Sequence, residues 1–382
     1  MRLSLPSKLP DLQLSIFAVI SKLAQDYGAV NLSQGFPDFD PDPALVQLVA
    51  ENLRQGKNQY APMPGILPLR QALAEKMQNL YGATYDAESE ITVTAGATEA
   101  LYAAITATVH PGDEVIIFEP FYDAYPPVVR YAGGKPVLIP LQSPDFSIPW
   151  QRVKQAISKR TKLIILNTPH NPTGSLLGKD DLAQLAGIVD GTSILLISDE
   201  VYEHITFDGK MHLSLAGHAE LRERTFVISS FGKTYHTTGW KVGYCAAPRA
   251  LTDEFRKIHQ FITYAVNTPV QWAYAAFLQQ DRSYLQLGAF YQKKRDLFVR
   301  LLEKSRFKLL PCHGTYFQLA DYRAISDRPD LEFTEWLIKE HGVAAIPMSP
   351  FYARPPEQTL VRFCFAKKDE TLFQAAERLC RI

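Results

Sequence analysis

The sequence predicts an α/β protein: a large, mostly parallel sheet flanked by helices, joined to a smaller α+β domain. Three observations carry this. Short apolar runs alternate with stretches of helical spacing through the middle of the chain. Several of these runs lack the apolar–polar alternation of a one-sided sheet, as expected for strands buried on both faces. From about residue 285 the alternation gives way to a long helical stretch and short strands with helices between them.

The elements follow in order. LSIFAVISKLA (14–24) has helical spacing and is interrupted by Ser15, Ser21 and Lys22, so it reads as an amphipathic helix and not as the apolar core of a signal peptide. ITVT (91–94) is the first strand of the large sheet, and AGATEALYAAITATV continues from it as a helix. EVIIF (114–118), KPVLIP (135–140), KLIILN (162–167), SILLIS (193–198), TFVISS (225–230) and VGYCAA (242–247) are the strands that follow. Strand–helix alternation of this kind implies right-handed crossovers. SYLQLGAFYQKKRDLFVRLLEKS (283–305) is helical, and RFKLLP, TYFQLA and TLVRFCFA are short strands. The expected division is a large α/β domain over residues 46–284, and a small α+β domain made of residues 1–45 and 285–382.

Composition narrows the function. The chain has 382 residues, room for two domains at ~100–200 residues each. Lys+Arg and Asp+Glu are both 40, so the formal net charge is zero. That argues against a broad nucleic-acid or membrane-surface role while leaving room for a local basic pocket. No apolar run approaches the ~18 residues of a membrane span. Cys245, Cys312, Cys364 and Cys380 are widely spaced. They suggest neither a zinc knuckle nor a disulfide framework, and the expected setting is reducing and cytoplasmic.

In open α/β sheets ligands bind beyond the carboxyl ends of the strands. The unusual polar residues fall there. Gly96, Ala97 and Thr98 follow ITVT and open a helix, where free backbone N–H groups suit a phosphate. Tyr122 follows EVIIFEP, and Asn171 lies in NTPHNPTG after KLIILN. Asp199 ends SILLISD with Tyr202 three residues on, and Ser230 ends TFVISS just before Lys233. Singly, each has a plain explanation: a tight turn, a loop, a helix cap, a solvated lysine. One bound small molecule explains the set. Gly232-Lys233-Thr234 is not a nucleotide-binding P-loop, since that motif needs a glycine where Val227 stands in mid-strand.

Taken together and in this order, the motifs NLSQGFPDF (31–39), YAPMPGILPLR (60–70), AGATEAL (95–101), FEPFYDAY (118–125), NTPHNPTG (167–174), ISDEVYEH (197–204), SSFGKTYHTTGWKVGY (229–244) and VRFCFA (361–366) resemble the class I/II aminotransferases. These are pyridoxal 5′-phosphate (PLP) enzymes of fold type I, the aspartate-aminotransferase-like fold. The resemblance spans nearly the whole chain. Its wording lies nearest the branch of methionine, kynurenine and glutamine (K-type) transaminases.

The resemblance implies a role for each matching position. Lys233 would be the Schiff-base lysine, needing to lose its proton to attack a carbonyl, and then the base and acid that moves the substrate α-proton. Asp199 would pair with the pyridine nitrogen of PLP. Tyr202 and Asn171 would hydrogen-bond the ring oxygen, and Tyr122 would stack on the ring. Ser230, Lys241 and the Gly96–Thr98 turn would hold the phosphate, which explains why a hydroxyl and a second cation flank Lys233. Arg362 would grip the substrate α-carboxylate, which a planar guanidinium matches bidentately. The backbone of Gly35, together with Asn171, would complete that site. Tyr60 matches a tyrosine that reaches the phosphate of the neighbouring subunit, which implies a homodimer.

The implied reaction moves the amino group of an L-amino acid to a 2-oxo acid. Phe36, Phe121, Tyr122, Tyr264 and Phe17 suggest an apolar, aromatic-lined pocket suited to methionine or aromatic side chains. No second arginine for a dicarboxylic substrate is evident. Three alternatives share the motifs. A PLP-dependent cysteine-conjugate (carbon–sulfur) β-lyase is the nearest, followed by a synthase acting on S-adenosylmethionine. A non-catalytic PLP-binding sensor is the most distant, since no basic helix-turn-helix segment precedes residue 30. No metal is expected.

Overall fold

The computed structural model describes residues 5–12 and 14–382. A seven-stranded sheet forms its centre. Its strands are β2 (Ile91–Thr94), β3 (Glu114–Glu119), β4 (Lys135–Pro140), β5 (Thr161–Asn167), β6 (Leu195–Asp199), β7 (Thr225–Ser230) and β8 (Gly243–Ala246). They lie in the order β2-β8-β7-β6-β5-β3-β4. Every residue of β2, β3 and β8 is buried, while β4, at one edge, is mostly half-buried. β2, at the opposite edge, is as buried as the strands between, so both faces of the sheet are covered everywhere except along β4. Helices Gly96–Thr108, Tyr125–Tyr131, Trp150–Ala156 and Lys179–Val189 connect successive parallel strands.

β8 runs against the others: it pairs antiparallel with both β2 and β7. An apolar run shows burial but not direction. Residues 231–242 between β7 and β8 hold only short helical turns at Phe231–Thr234 and Thr238–Trp240. A parallel return needs a full crossover across the sheet face, so the chain turns straight back. This reversal puts the start of β8 on the same rim as the ends of its neighbours. Gly243 is in register with both Thr94 and Ser230.

A second sheet of four antiparallel strands has the order β12-β13-β10-β9. Its strands are β9 (Lys308–Leu309), β10 (Phe317–Asp321), β12 (Ile346–Pro347) and β13 (Leu360–Cys364). β1 (Val30–Asn31) pairs in parallel with β11 (Val343–Ala344). Helix Ile16–Asp26 buries Ile20 and Ala24 in a core shared with Leu319, Ile338 and Ile346. The stretch read as one helix over 283–305 is a 3₁₀ turn, Ser283–Gln286, followed by helix Leu287–Leu301. TYFQLA becomes extended only at Phe317, because Thr315 takes a left-handed φ of 64°. Helix Pro43–Arg54 and the turn Ser283–Gln286 each run across an expected domain boundary.

Candidate active site

The ends of β2, β5, β6 and β7 and the start of β8 form one rim of the large sheet. A cavity of about 310 Å³ opens there. From the large sheet it is lined by Gly96, Ala97, Thr98, Tyr122, Asn171, Asp199, Tyr202, Ser230, Lys233 and Lys241. Gly35 and Phe17 close it from the N-terminal part, and Arg362 closes it from β13. Tyr60 is not among the lining residues. It is 84 % exposed, with its ring edge-on to Tyr264 at 5.6 Å. Phe36, Phe121 and Tyr264 also lie outside the wall, so of the expected aromatic lining only Tyr122 and Phe17 are in place.

Lys233 stands on the short helical turn that β7 feeds. Its Nζ donates to the Gly35 carbonyl at 2.9 Å and meets the Tyr316 hydroxyl at 2.8 Å. Enclosure by protein lowers its pKa to about 8; Arg362 and Lys241 push the same way, against Cys364 and Asp199. About a tenth of the amine is thus neutral and nucleophilic at pH 7, far more than for an ordinary lysine. Tyr316 joins Lys233 from just before β10, 83 positions along the chain.

Asp199 ends β6 and is buried. Tyr125 donates to its Oδ2 at 2.6 Å, and the Val201 amide lies 3.4 Å from Oδ1. Burial pushes its pKa up to about 6, and these hydrogen bonds hold it down. It is a carboxylate at neutral pH with one oxygen fixed and the other lightly held. Asn167 ends the neighbouring β5, donates to the Asp199 carbonyl at 2.8 Å and accepts from the Asn171 amide at 2.8 Å. Burial raises the pKa of Tyr202 far above the ordinary phenol value, so it stays a neutral donor.

At the opposite end, Gly96 has φ +77° and opens the helix Gly96–Thr108. A Cβ there would come within 3.2 Å of Lys241 Nζ. One at Gly243 would sit 2.7 Å from the Ser229 carbonyl and 2.9 Å from the Ala97 amide. Glycine at 243 lets the helix start lie against β8, glycine at 96 accepts the left-handed φ, and Lys241, also left-handed at φ 54°, lines the cavity beside them. Free helix N–H groups, an ammonium and a serine hydroxyl make an anion cradle.

Arg362 is fully buried, and burial draws its pKa down to about 10, still cationic at neutral pH. One NH₂ group donates to Asn171 Oδ1 at 2.7 Å and the other to the Ser33 carbonyl at 3.1 Å. Its plane lies 3.8 Å from the Phe317 ring centre, and its Nε has no partner. A buried cation with an unmet N–H can take an anion.

Gln34, Asn167 and Phe317 also line the cavity and were not read from the sequence. Asn167 obeys the strand-end rule and was within reach of it. Tyr316 and Phe317 carry no local signal.

A nucleophilic lysine, a carboxylate at the strand end, a neutral phenol donor and an anion cradle match the chemistry of PLP. Lys233 can take the aldehyde, Asp199 the ring nitrogen, Tyr202 and Asn171 the ring oxygen, and Ser230, Lys241 and Gly96–Thr98 the phosphate. Bound there, PLP supplies an electron sink for charge that develops at the substrate α-carbon.

The chain belongs to the aminotransferase class I and II family, whose model matches residues 27–379. It is a PLP-dependent aminotransferase of fold type I, acting on amino and 2-oxo acids. It is 54% identical over 374 residues to the methionine aminotransferase of Escherichia coli K12, covering 98% of this chain and 97% of that one. The solved structure of YbdL from E. coli, identified as having a methionine aminotransferase function, superposes with a TM-score of 0.98 at 53% identity, covering 100% of both chains. The N-succinyldiaminopimelate aminotransferase of Mycobacterium tuberculosis gives 0.95 at 41% identity, covering 99% of this chain and 100% of that one. The kynurenine–oxoglutarate transaminase of Dictyostelium discoideum is 36% identical over 408 residues, with 96% and 94% covered.

Proposed function

We propose that this aminotransferase takes methionine, or an aromatic amino acid, as its preferred donor. The carrying observation is the balance of charge in the cavity wall. Its basic residues are Lys233, Lys241 and Arg362. The first two are committed to the cofactor and the third to the α-carboxylate. Phe17, Tyr122 and Phe317 supply apolar surface for the rest of the substrate.

In this reading Arg362 orients the carboxylate, with the Gly35 backbone beside it. Lys233, once displaced, holds a proton at Nζ within the cavity and passes it to or from the substrate carbon. Asp199 keeps a negative charge against the ring nitrogen, and Tyr122 bounds the ring face. The Gly35 carbonyl and the Tyr316 hydroxyl give the free lysine a fixed resting place. Residues 46–284 would carry the cofactor, and residues 1–45 with 285–382 would bring Arg362 onto it.

The enzyme works as a homodimer, with Tyr60 reaching the neighbouring site. The support is that Tyr60, Phe261 and Tyr264 are 84, 87 and 50 % exposed, an apolar group suited to cover by a second chain. A reducing, cytoplasmic setting suits the four cysteines, which stand as free thiols. Among the described residues no helix is long and apolar enough to cross a membrane.

The test is the visible spectrum of the PLP-loaded protein before and after L-methionine, with no oxo acid present. Conversion of the pyridoxal band to a stable pyridoxamine band supports the reading. A band that persists removes methionine as donor. Release of a thiol and a 2-oxo acid without conversion, using a cysteine conjugate, would favour the β-lyase. For the dimer, mixing inactive Lys233→Ala and Tyr60→Ala proteins should restore partial activity, and no recovery would remove the shared site.

A further inference from the structure

Ser15 is the N-cap residue of helix Ile16–Asp26. A serine there ordinarily accepts a hydrogen bond from a backbone N–H in the first turn. This one makes no such bond. Its hydroxyl donates to Asp123 Oδ2 at 2.6 Å, 108 positions away. Asp123 directly follows Tyr122, which lines the cavity. Phe17, two residues after Ser15, lines the same cavity. The bond therefore ties the N-terminal helix to the segment after β3, near the place where substrate binds.

Phe17 is held at three points. Its ring packs 5.8 Å from that of Phe351, and the Arg362 guanidinium carbon is 5.2 Å from its centre. Its carbonyl accepts from Gln34 Nε2 at 3.2 Å. These contacts anchor Phe17 to the smaller sheet and its surroundings. The bond from Ser15 to Asp123 fixes its position relative to Tyr122, on the large-sheet side.

We propose that the Ser15–Asp123 hydrogen bond latches Phe17 into the cavity wall, so that both are positioning residues that set how well a long apolar side chain is held. This rests on the reading of the cavity as a site for a neutral side chain. A hydrogen bond to a carboxylate is stronger than a neutral one, and losing it frees the helix start. Apolar contact scales with area. A thioether or phenyl side chain then loses contact with Phe17, while a methyl has little to lose.

Ser15→Ala is a clean probe, because the hydroxyl caps nothing and its loss costs the helix no hydrogen bond. Steady-state kinetics of the PLP-loaded Ser15→Ala, Asp123→Ala and double variants would be compared across alanine, 2-aminobutyrate, methionine and phenylalanine. Each single variant should raise KM for methionine and phenylalanine roughly two- to tenfold, with kcat kept; the alanine KM should be unmoved in Ser15→Ala, whereas Asp123→Ala also removes a charge that acts on Arg362. The double variant should be no worse than either single one, as expected for two ends of one bond. Asp123→Asn, which keeps an acceptor oxygen, should recover most of the loss. Additive losses, or in Ser15→Ala either an equal rise for alanine or no change, would overturn the latch. If the wild type instead prefers an anionic side chain, the substrate reading fails. The latch is still judged by whether the KM penalty grows with side-chain length within the neutral series.

Discussion

Arg362→Lys tests the substrate end of the cavity most directly. The guanidinium is fully buried, forks between Asn171 Oδ1 at 2.7 Å and the Ser33 carbonyl at 3.1 Å, and lies 3.8 Å from the Phe317 ring centre. Lysine keeps the charge but loses the plane and the fork. A carboxylate gripped by two parallel bonds would keep one of them. A hydrogen bond to a charged group contributes about 1.5–3 kcal/mol. At 1.4 kcal/mol per factor of ten, the change should raise KM by roughly 10- to 150-fold. Both the amino acid and the 2-oxo acid carry the carboxylate, so both KM values should rise together. PLP should stay bound, since Arg362 takes no part in the phosphate cradle. The assay is steady-state kinetics in each direction, with PLP content read from absorbance. Unchanged KM for both substrates, or loss of PLP with KM intact, would refute the reasoning.

Other outcomes follow from the same geometry. Lys233 is an ammonium below its pKa of about 8. Covalent uptake of PLP by the apoprotein should therefore speed up as pH rises toward 8 and level off above it, as stopped-flow absorbance would show. Asp199→Asn removes the carboxylate proposed to face the ring nitrogen and should lower kcat by about a hundredfold or more, measurable in single-turnover reactions with methionine. Lys76 and Glu203 form a buried pair at 2.8 Å, with Ser229 and Tyr244 also bonded to the carboxylate. Lys76→Met leaves that charge uncompensated and should cost about 3–5 kcal/mol of stability, seen as a lower denaturant midpoint.

Most of the large sheet was readable because burial on both faces writes itself into the sequence as apolar runs; β4 keeps such a run at a half-buried edge. All seven strands stand where those runs are, within a residue or two. The direction of β8 was not readable, since an apolar run is the same read either way. Residues at strand ends were readable through the rule for open sheets, and Asp199, Asn171, Ser230 and Lys233 do meet in one cavity. What escaped were partners fixed by long-range folding. Tyr316 meets Lys233 across 83 positions, and Tyr125 meets Asp199 across 74. Neither tyrosine differs locally from a core aromatic. The aromatic lining was overdrawn for the same reason. Phe121 is simply buried, with its backbone amide bound to the Phe351 carbonyl at 3.0 Å.

The reversal of β8 has a consequence for how this chain can change length. Residues 231–242 leave the rim at Ser230 and return to it at Gly243, and those two are paired across the sheet. Lys233 and Lys241 thus ride on one closed excursion with both feet pinned. An inserted residue would either push the two ammonium groups apart or slip β8 by one position. A slip would turn every β8 side chain to the opposite face, taking Tyr244 away from Lys76 and Glu203. Loops elsewhere on the surface can be lengthened at small entropic cost. This one is a ruler, and an engineer grafting new sequence into the enzyme should leave its twelve residues uncounted among the places to cut.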